Sequence, residues 1–268
     1  MVEVRMLAMS AVPAHSSTDL ARAQFGAVAE TYATSSYHAS GPDLQALVEA
    51  AAPTPTDQVL DLGCGAGHTA LAIAPRVAHV TAVDVTPDML ATAARLAEQR
   101  RVSNVTFQRA DATELPFGDA EFDLVTSRVA AHHFADPARA MAEVWRVLRP
   151  GGRIVLVDAI SPEDAPQDTF LNCVEILRDA SHVRDWRISE WQRMFSEAGF
   201  RMPKLLNTFG IWLDGDEWVQ RMRTPETKVA MIRQLFAEAS PAQRRAFDLR
   251  TDDGWGFRLG LALLRAER

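Results

Sequence analysis

Cysteine is scarce in this 268-residue chain, and its two examples, Cys64 and Cys173, lie far apart with no CxxC partner. That usage argues against a zinc framework or a disulfide scaffold and fits a reducing cytoplasm. Long hydrophobic runs are missing too: no stretch approaches the ~18 apolar residues of a spanning helix. Positive charge is not in excess. The formal net charge of −7 gives no general attraction to polyphosphate, so neither a nucleic-acid partner nor a membrane span is expected. Internal repeats and low-complexity tracts are also missing. What remains is an ordinary globular balance, 47% hydrophobic and 24% charged, at a length that suits one sizeable α/β domain with an elaboration. The first 18 residues have a brief apolar stretch from Met6, interrupted at Ser10 and Pro13, and read as a disordered leader rather than a signal peptide.

Residues 19–32 read as a helix, and 32–41 are richer in Ser, Tyr and His than in core formers. Leu20, Ala23, Ala27 and Val28 keep a helical period behind Asp19, and Pro42 to Ala52 forms a second helix ended by Pro53-Thr54-Pro55. An alternation of strands and helices then begins. Strands are expected at 58–62, 79–84, 104–109, 122–127 and 153–158, with helices at 66–74, 87–100 and 137–148. This pitch implies a parallel sheet covered on both faces, with ligands at the carboxyl ends of the strands. The later third is less regular: a helix at 189–198, a strand at 204–213, helices at 216–222, 226–239 and 241–249, and a closing strand at 255–264. The three helices between the last two strands read as an insertion.

The sharpest signal is Val59-Leu60-Asp61-Leu62-Gly63-Cys64-Gly65-Ala66-Gly67. Glycines at alternate positions straight after an apolar strand permit a tight turn and close approach of a ligand to the backbone. The spacing separates two ligand classes. A dinucleotide fingerprint needs its third glycine where this chain has His68, which counts against an NAD-linked dehydrogenase. Asp61, just before the loop, helps supply an anion for the ammonium group of a cofactor with an amino-acid tail. Asp84 ends the second strand, 21 positions after Gly63, where a carboxylate can accept from both ribose hydroxyls.

The loop from Asp61 to Gly67, Asp84, Arg109-Ala110-Asp111-Ala112, Phe122-Asp123-Leu124-Val125 and Val147-Leu148-Arg149-Pro150-Gly151-Gly152 resemble, in order and spacing, the class I methyltransferases that use S-adenosyl-L-methionine (SAM). The branch most resembled is that of the ubiquinone/menaquinone biosynthesis methyltransferases (methyltransferase type 11), over about residues 25 to 200. The resemblance implies a Rossmann-like α/β fold: a seven-stranded sheet with an antiparallel last strand, an N-terminal helical lid (19–52), a SAM-binding core (53–160), and substrate-side helices with a final strand pair (161–268). It further implies that Gly63, Gly65 and Gly67 pass beneath the methionine part of the cofactor and that Asp84 holds the ribose. Thr86 and Met89 would sit near the adenine, Asp111 would accept from its amino group beside Ala112, and Arg128 would lie near the amino-acid end. The stretch Phe25-Gly26-x-x-Ala29-x-x-Tyr32-x-x-Ser35-Ser36-x-His38 resembles the lid of that branch, with Tyr32, Tyr37 and His38 as its wall.

Methyl transfer asks the protein mainly to align nucleophile, methyl carbon and sulfur in a dry pocket; a base is needed only for a protonated acceptor. His132 and His133 follow the fourth strand and are the candidate catalytic pair. A metal site built on them with Asp136 is the weaker reading, since adjacent loop histidines seldom converge on one ion, and no metal is expected. Asp158 is the next candidate for orienting an acceptor, and His182, Arg184, Trp186, Trp191, Trp212 and Trp218 are candidates for an aromatic substrate pocket. No Asn/Asp-Pro-Pro-aromatic turn follows the fourth strand, which disfavours nucleobase amino methylation. The expectation is therefore a cytoplasmic enzyme, monomer or homodimer, methylating an O, N or C atom of a small aromatic or quinone-like metabolite. The alternatives are a SAM-binding enzyme of the same fold catalysing a reaction such as cyclisation, favoured if Arg128 or Arg184 presents a free cation near the methyl position, and a binding module without turnover.

Overall fold

The strand Gln58–Leu62 (β1) is apolar on both faces because the chain covers both faces. Val59 points into one buried cluster with Leu47, Ile73 and Val157, while Leu60 and Leu62 point into another with Val83, Met141 and Val144. The same alternation divides Leu124 from Val125 and Val155 from Leu156, as a period of two requires in a sheet with helices on both sides.

The computed structural model describes residues 17–252 and 254–268, so positions 1–16 of the expected leader lie outside the described residues, and Ser17 and Thr18 open a helix. Before β1 come α1 (Ser17–Gly26), α2 (Ala29–Thr34), α3 (Ser36–Ser40) and α4 (Pro42–Ala51). After it follow α5 (His68–Ile73), β2 (His79–Asp84), α6 (Pro87–Gln99), β3 (Val105–Arg109), β4 (Phe122–Arg128), α7 (Pro137–Val147) and β5 (Leu148–Ser161). The later third holds α8 (Ala165–Arg178), β6 (Trp186–Arg187), α9 (Ile188–Glu197), β7 (Arg201–Asp214), α10 (Gly215–Arg221), α11 (Glu226–Glu238), α12 (Pro241–Phe247) and β8 (Gly256–Glu267).

The sheet runs β3-β2-β1-β4-β5-β8-β7, with the two-residue β6 pairing the end of β5. β1 to β5 are parallel, and β8 is antiparallel to both its neighbours. This is the expected Rossmann-like arrangement of seven strands with an antiparallel last strand, and α10 to α12 form the expected insertion before it. The order reverses between β1 and β4, which makes a crevice at their carboxyl ends.

Three local readings differ. The single helix expected over 19–32 is broken after Gly26, and its second half restarts as α2. Of the expected lid, α4 packs on the sheet against β5 and β8, because Leu44, Leu47, Val48 and Ala51 recur at helical spacing and are all buried. The stretch 165–178, for which the sequence analysis gives no element, is a full helix whose start is set by Asp164, the side chain of which accepts from Gln167 N–H.

Candidate active site

Four strand ends converge on one cleft. Gly63 leaves β1, Asp84 ends β2, Asp111 follows β3, and Arg128 ends β4; all four line the cleft, with Gly65, Thr86, Met89 and Ala112 between them and Tyr32 and His38 from the N-terminal helices above. Gly63 and Gly65 adopt φ of +61° and +52°, the left-handed region that glycine enters without cost. A Cβ at Gly63 would lie 2.6 Å from the Ala130 Cβ, whereas at Gly65 it would meet only open space. The first glycine thus lets two loops touch, and the second keeps the floor of the cleft flat.

Three expected residues stand outside this cleft's lining, and of these Tyr37 lines the second cavity described below. Gly67 (φ +84°) precedes α5, and a Cβ there would approach Ala93 of α6 to 2.9 Å, so this glycine serves helix packing. Asp61 is 1% exposed beneath the loop, and its Oδ1 accepts from the Thr126 hydroxyl at 2.7 Å. Burial lifts its carboxyl to about 7.

Asp84 is held face-on to the cleft. Its Oδ2 accepts from Gly65 N–H at 2.9 Å and its Oδ1 from Thr86 N–H at 2.8 Å. Each oxygen retains lone-pair capacity for a further donor. Asp111 accepts from Thr113 through both its backbone N–H and its hydroxyl, and from Thr18 of α1 at 3.0 Å. Burial opposes its ionisation, yet these hydrogen bonds keep its carboxyl below the usual range. A carboxylate at the end of β2, a second after β3 and a flat glycine floor fit a cofactor built of ribose, adenine and an amino-acid tail.

The N-terminal helices are tied down by two latches that sequence reasoning missed. Arg128 Nε donates to Asp43 Oδ2 at 2.6 Å, with both side chains buried, and its Nη1 and Nη2 donate to the carbonyls of His38 and Tyr37 at 2.9 and 3.3 Å. Arg128 lines the cleft as expected, but its donors hold α3 and α4. His68 Nε2 lies 3.1 Å from the Tyr32 carbonyl and donates to it, so the residue standing where a dinucleotide site has glycine ties α2 to the start of α5.

A second cavity of about 840 Å³ adjoins the first. Phe25, Tyr32, His38, Val129 and His133 line both and form the partition between them. Val129 is β-branched yet has φ +51°, a strained conformation for such a residue that turns the chain sharply after β4. The two histidines that follow are fixed differently. His132 donates from Nδ1 to Asp158 Oδ1 at 2.6 Å, and its N–H donates to Oδ2 at 2.8 Å. Burial alone would lower its pKa, but the Asp158 carboxylate raises it to about 9, so at neutral pH this ring is a cation. His133 donates from Nδ1 to the Ser181 carbonyl at 3.1 Å, which assigns the proton to that nitrogen and leaves the Nε2 lone pair, 3.9 Å from Asp179. Burial and the charge of His132 push His133 down to about 4.

The other expected residues divide. Asp158 is buried behind His132 rather than facing the cavity. Trp212 and Trp218 line the second cavity, whereas Trp191 is core against Phe195 and Trp186 stacks under Arg184. His182 donates from Nε2 to Asn172 Oδ1, and Arg184 is paired with Asp168 at 2.7 Å. Asp136, weighed as a metal ligand, caps α7 by accepting from Arg139 N–H. The second cavity is instead lined by Glu175 and Arg178 of α8, Asp185, and Arg221 of α10. None of these lies in a motif. The signal that was available is the Asp164 cap followed by Pro166, which announces α8.

Comparison with known proteins points to the same fold. Residues 60–156 match a family model described as a methyltransferase domain. The chain is 41% identical over 223 residues to the uncharacterized methyltransferase YcgJ of Bacillus subtilis (strain 168), covering 83% of this chain and 88% of that protein. The YcgJ crystal structure superposes with a TM-score of 0.81 over 84% of this chain and 97% of that one, at 38% identity. A crystal structure from Bacillus halodurans C-125 gives 0.82 over 85% of this chain and 99% of that one, at 37% identity. A demethylmenaquinone methyltransferase of Clavibacter sepedonicus is 41% identical over 118 residues, 44% of this chain and 47% of that protein.

Proposed function

The chain belongs to the class I SAM-dependent methyltransferases, and on that premise we propose that it methylates an O, N or C atom of a small, aromatic or quinone-like acceptor held in the second cavity. Its cofactor is S-adenosyl-L-methionine. When bound, SAM supplies a methyl group activated by a positively charged sulfur, so alignment and exclusion of water are the protein's main contributions. The observation that carries the proposal is the shared partition: a cofactor in the first cleft and an acceptor in the second meet across Phe25, Tyr32, His38, Val129 and His133.

In this reading Asp84 binds the ribose, Asp111 the adenine side, and Gly63 and Gly65 the methionine part, while Thr86, Met89 and Ala112 shape the adenine wall. Helices α1 to α3 are the lid, held by Arg128 and His68. His133, neutral at physiological pH, receives the acceptor's proton at Nε2 as the new bond forms, and Asp179 stabilises the resulting charge. His132 is a positioning residue, oriented by Asp158. Arg128 and Arg184 are both ion-paired, so neither is the free cation that would favour cyclisation. Among the described residues no helix is long and apolar enough to cross a membrane, and both cysteines are free. The test is release of S-adenosylhomocysteine against phenols, quinols and amines. Turnover with at least one is expected, and tight SAM binding with no release from any of them would sink the proposal in favour of cyclisation.

A further inference from the structure

We infer that the acceptor carries an anionic group, a carboxylate or a phosphate, seated between Arg178 and Arg221 on the wall of the second cavity; this rests on the methyltransferase reading of that cavity.

The two guanidinium groups come from different helices, α8 and α10, and both line the cavity. Arg178 is largely committed: its Nε donates to the Trp218 carbonyl at 3.2 Å, its guanidinium lies 5.0 Å from the Trp218 ring centroid, and Glu175 is 3.6 Å from its Nη1. Arg221 feels Tyr32, Glu217 and Glu175 only through space. Among the described residues it makes no hydrogen bond and no ion pair, although it is half-buried and burial together with the charge of Arg178 disfavours its protonated form. Two like charges converging in a part-desolvated cavity are costly unless an anion joins them.

The cavity's own carboxylates do not fill that role. Asp214 accepts from the N–H groups of Asp216 and Glu217 and caps α10, and Glu217 is exposed. Burial, then the neighbouring Glu175, holds the Asp185 carboxyl well above its ordinary range, which weakens it as a counter-ion. Glu175, itself raised by burial, acts on both arginines but lies within ion-pair distance of Arg178 alone. A planar guanidinium with free donors recognises carboxylate or phosphate oxygens in a two-point fashion. Neither arginine lines the cofactor cleft, so this position belongs to the acceptor.

The experiment is calorimetry on the full chain loaded with S-adenosylhomocysteine, using 4-hydroxybenzoate, phenyl phosphate and the neutral 4-hydroxybenzamide. At least one anion is expected to bind tenfold or more tightly than the amide, and Arg221→Gln should erase that preference while leaving S-adenosylhomocysteine affinity within twofold. The preferred anion tells carboxylate from phosphate. Arg221→Gln should melt no lower than the parent, because it removes an unpaired charge. Equal binding of the amide, no binding of either anion at millimolar concentration, or an equal loss of S-adenosylhomocysteine affinity in Arg221→Gln would each overturn the inference. Loss of S-adenosylhomocysteine binding by the parent chain would instead fail the methyltransferase reading.

Discussion

Asp158 holds His132 at two points: its Oδ1 accepts from the ring Nδ1 at 2.6 Å and its Oδ2 from the backbone N–H of the same residue at 2.8 Å. The carboxylate therefore sets both the position of the loop after β4 and the charge of the ring. With a folded pKa of about 9 against ~6.5 unfolded, the pair stabilises the fold fully below pH 6.5 and loses that contribution as pH rises through 9. The linkage amounts to roughly 3 kcal/mol at its fullest. Asp158→Asn is expected to lose most of it in urea denaturation at pH 6, and to bring the His132 titration, followed by NMR, below 7. A His132 titration still near 9 in that variant would remove Asp158 as the cause.

His133 is expected to matter for rate rather than for cofactor binding. His133→Asn should lower kcat about 10²- to 10⁴-fold with a phenolic acceptor and leave SAM affinity within a few-fold. The parent's rate should fall on the acid side as His133 gains a proton near its pKa of about 4. An unchanged kcat in the variant would assign His133 to packing.

The two loop glycines differ in what they tolerate. Gly63→Ala meets both a positive φ and the Ala130 Cβ at 2.6 Å, so a loss of about 2–4 kcal/mol in stability is expected, with cofactor binding abolished. Gly65→Ala has only the backbone cost, about 1 kcal/mol, but its methyl points into the cleft and should weaken SAM binding. Paired thermal melts and SAM titrations separate these outcomes.

The Arg128–Asp43 pair is buried on both sides, at 4% and 1% side-chain exposure. Asp43→Ala leaves a guanidinium without its carboxylate, at an expected cost of about 3–5 kcal/mol. Because Arg128 also holds the Tyr37 and His38 carbonyls, SAM should bind more weakly and the 17–40 segment should exchange amide hydrogens faster. Destabilisation without faster exchange in that segment would make the pair a core feature with no part in the lid.

Asp84→Asn keeps the shape and removes the charge. One hydrogen bond to a charged acceptor contributes about 1.5–3 kcal/mol, so SAM affinity is expected to fall about 10- to 100-fold in calorimetry, and the melting temperature to drop as well, because the amide nitrogen faces one of the Gly65 and Thr86 N–H donors.

Much of this was legible locally. Gln58–Leu62 and His79–Asp84 are read to the residue because each is a short apolar run bounded by a turn, and Pro137 with the Asp136 cap marks α7 for the same kind of reason. The first cleft was legible because its residues lie directly at strand ends, where chain order and spatial order coincide. The second cavity was not, since Glu175, Arg178, Asp185 and Arg221 come from irregularly spaced elements and meet only through packing. The aromatic residues of the later third misled for that reason: Trp191 and Trp218 look alike in sequence, and one packs beside Phe195 while the other borders the cavity.

By itself, then, the sequence determined the alternating strands and helices, the positive-φ loop at Gly63 and Gly65, and the carboxylates Asp84 and Asp111 beside it, because backbone conformation and strand-end position are local properties. Only the tertiary structure decided that Gly67 packs against Ala93, that Arg128 latches Asp43 from 85 positions away, and that His132 is charged while His133 is neutral. Charge and contact at those places depend on which distant group is brought within a few ångströms in a water-poor interior, and local spacing carries no record of that.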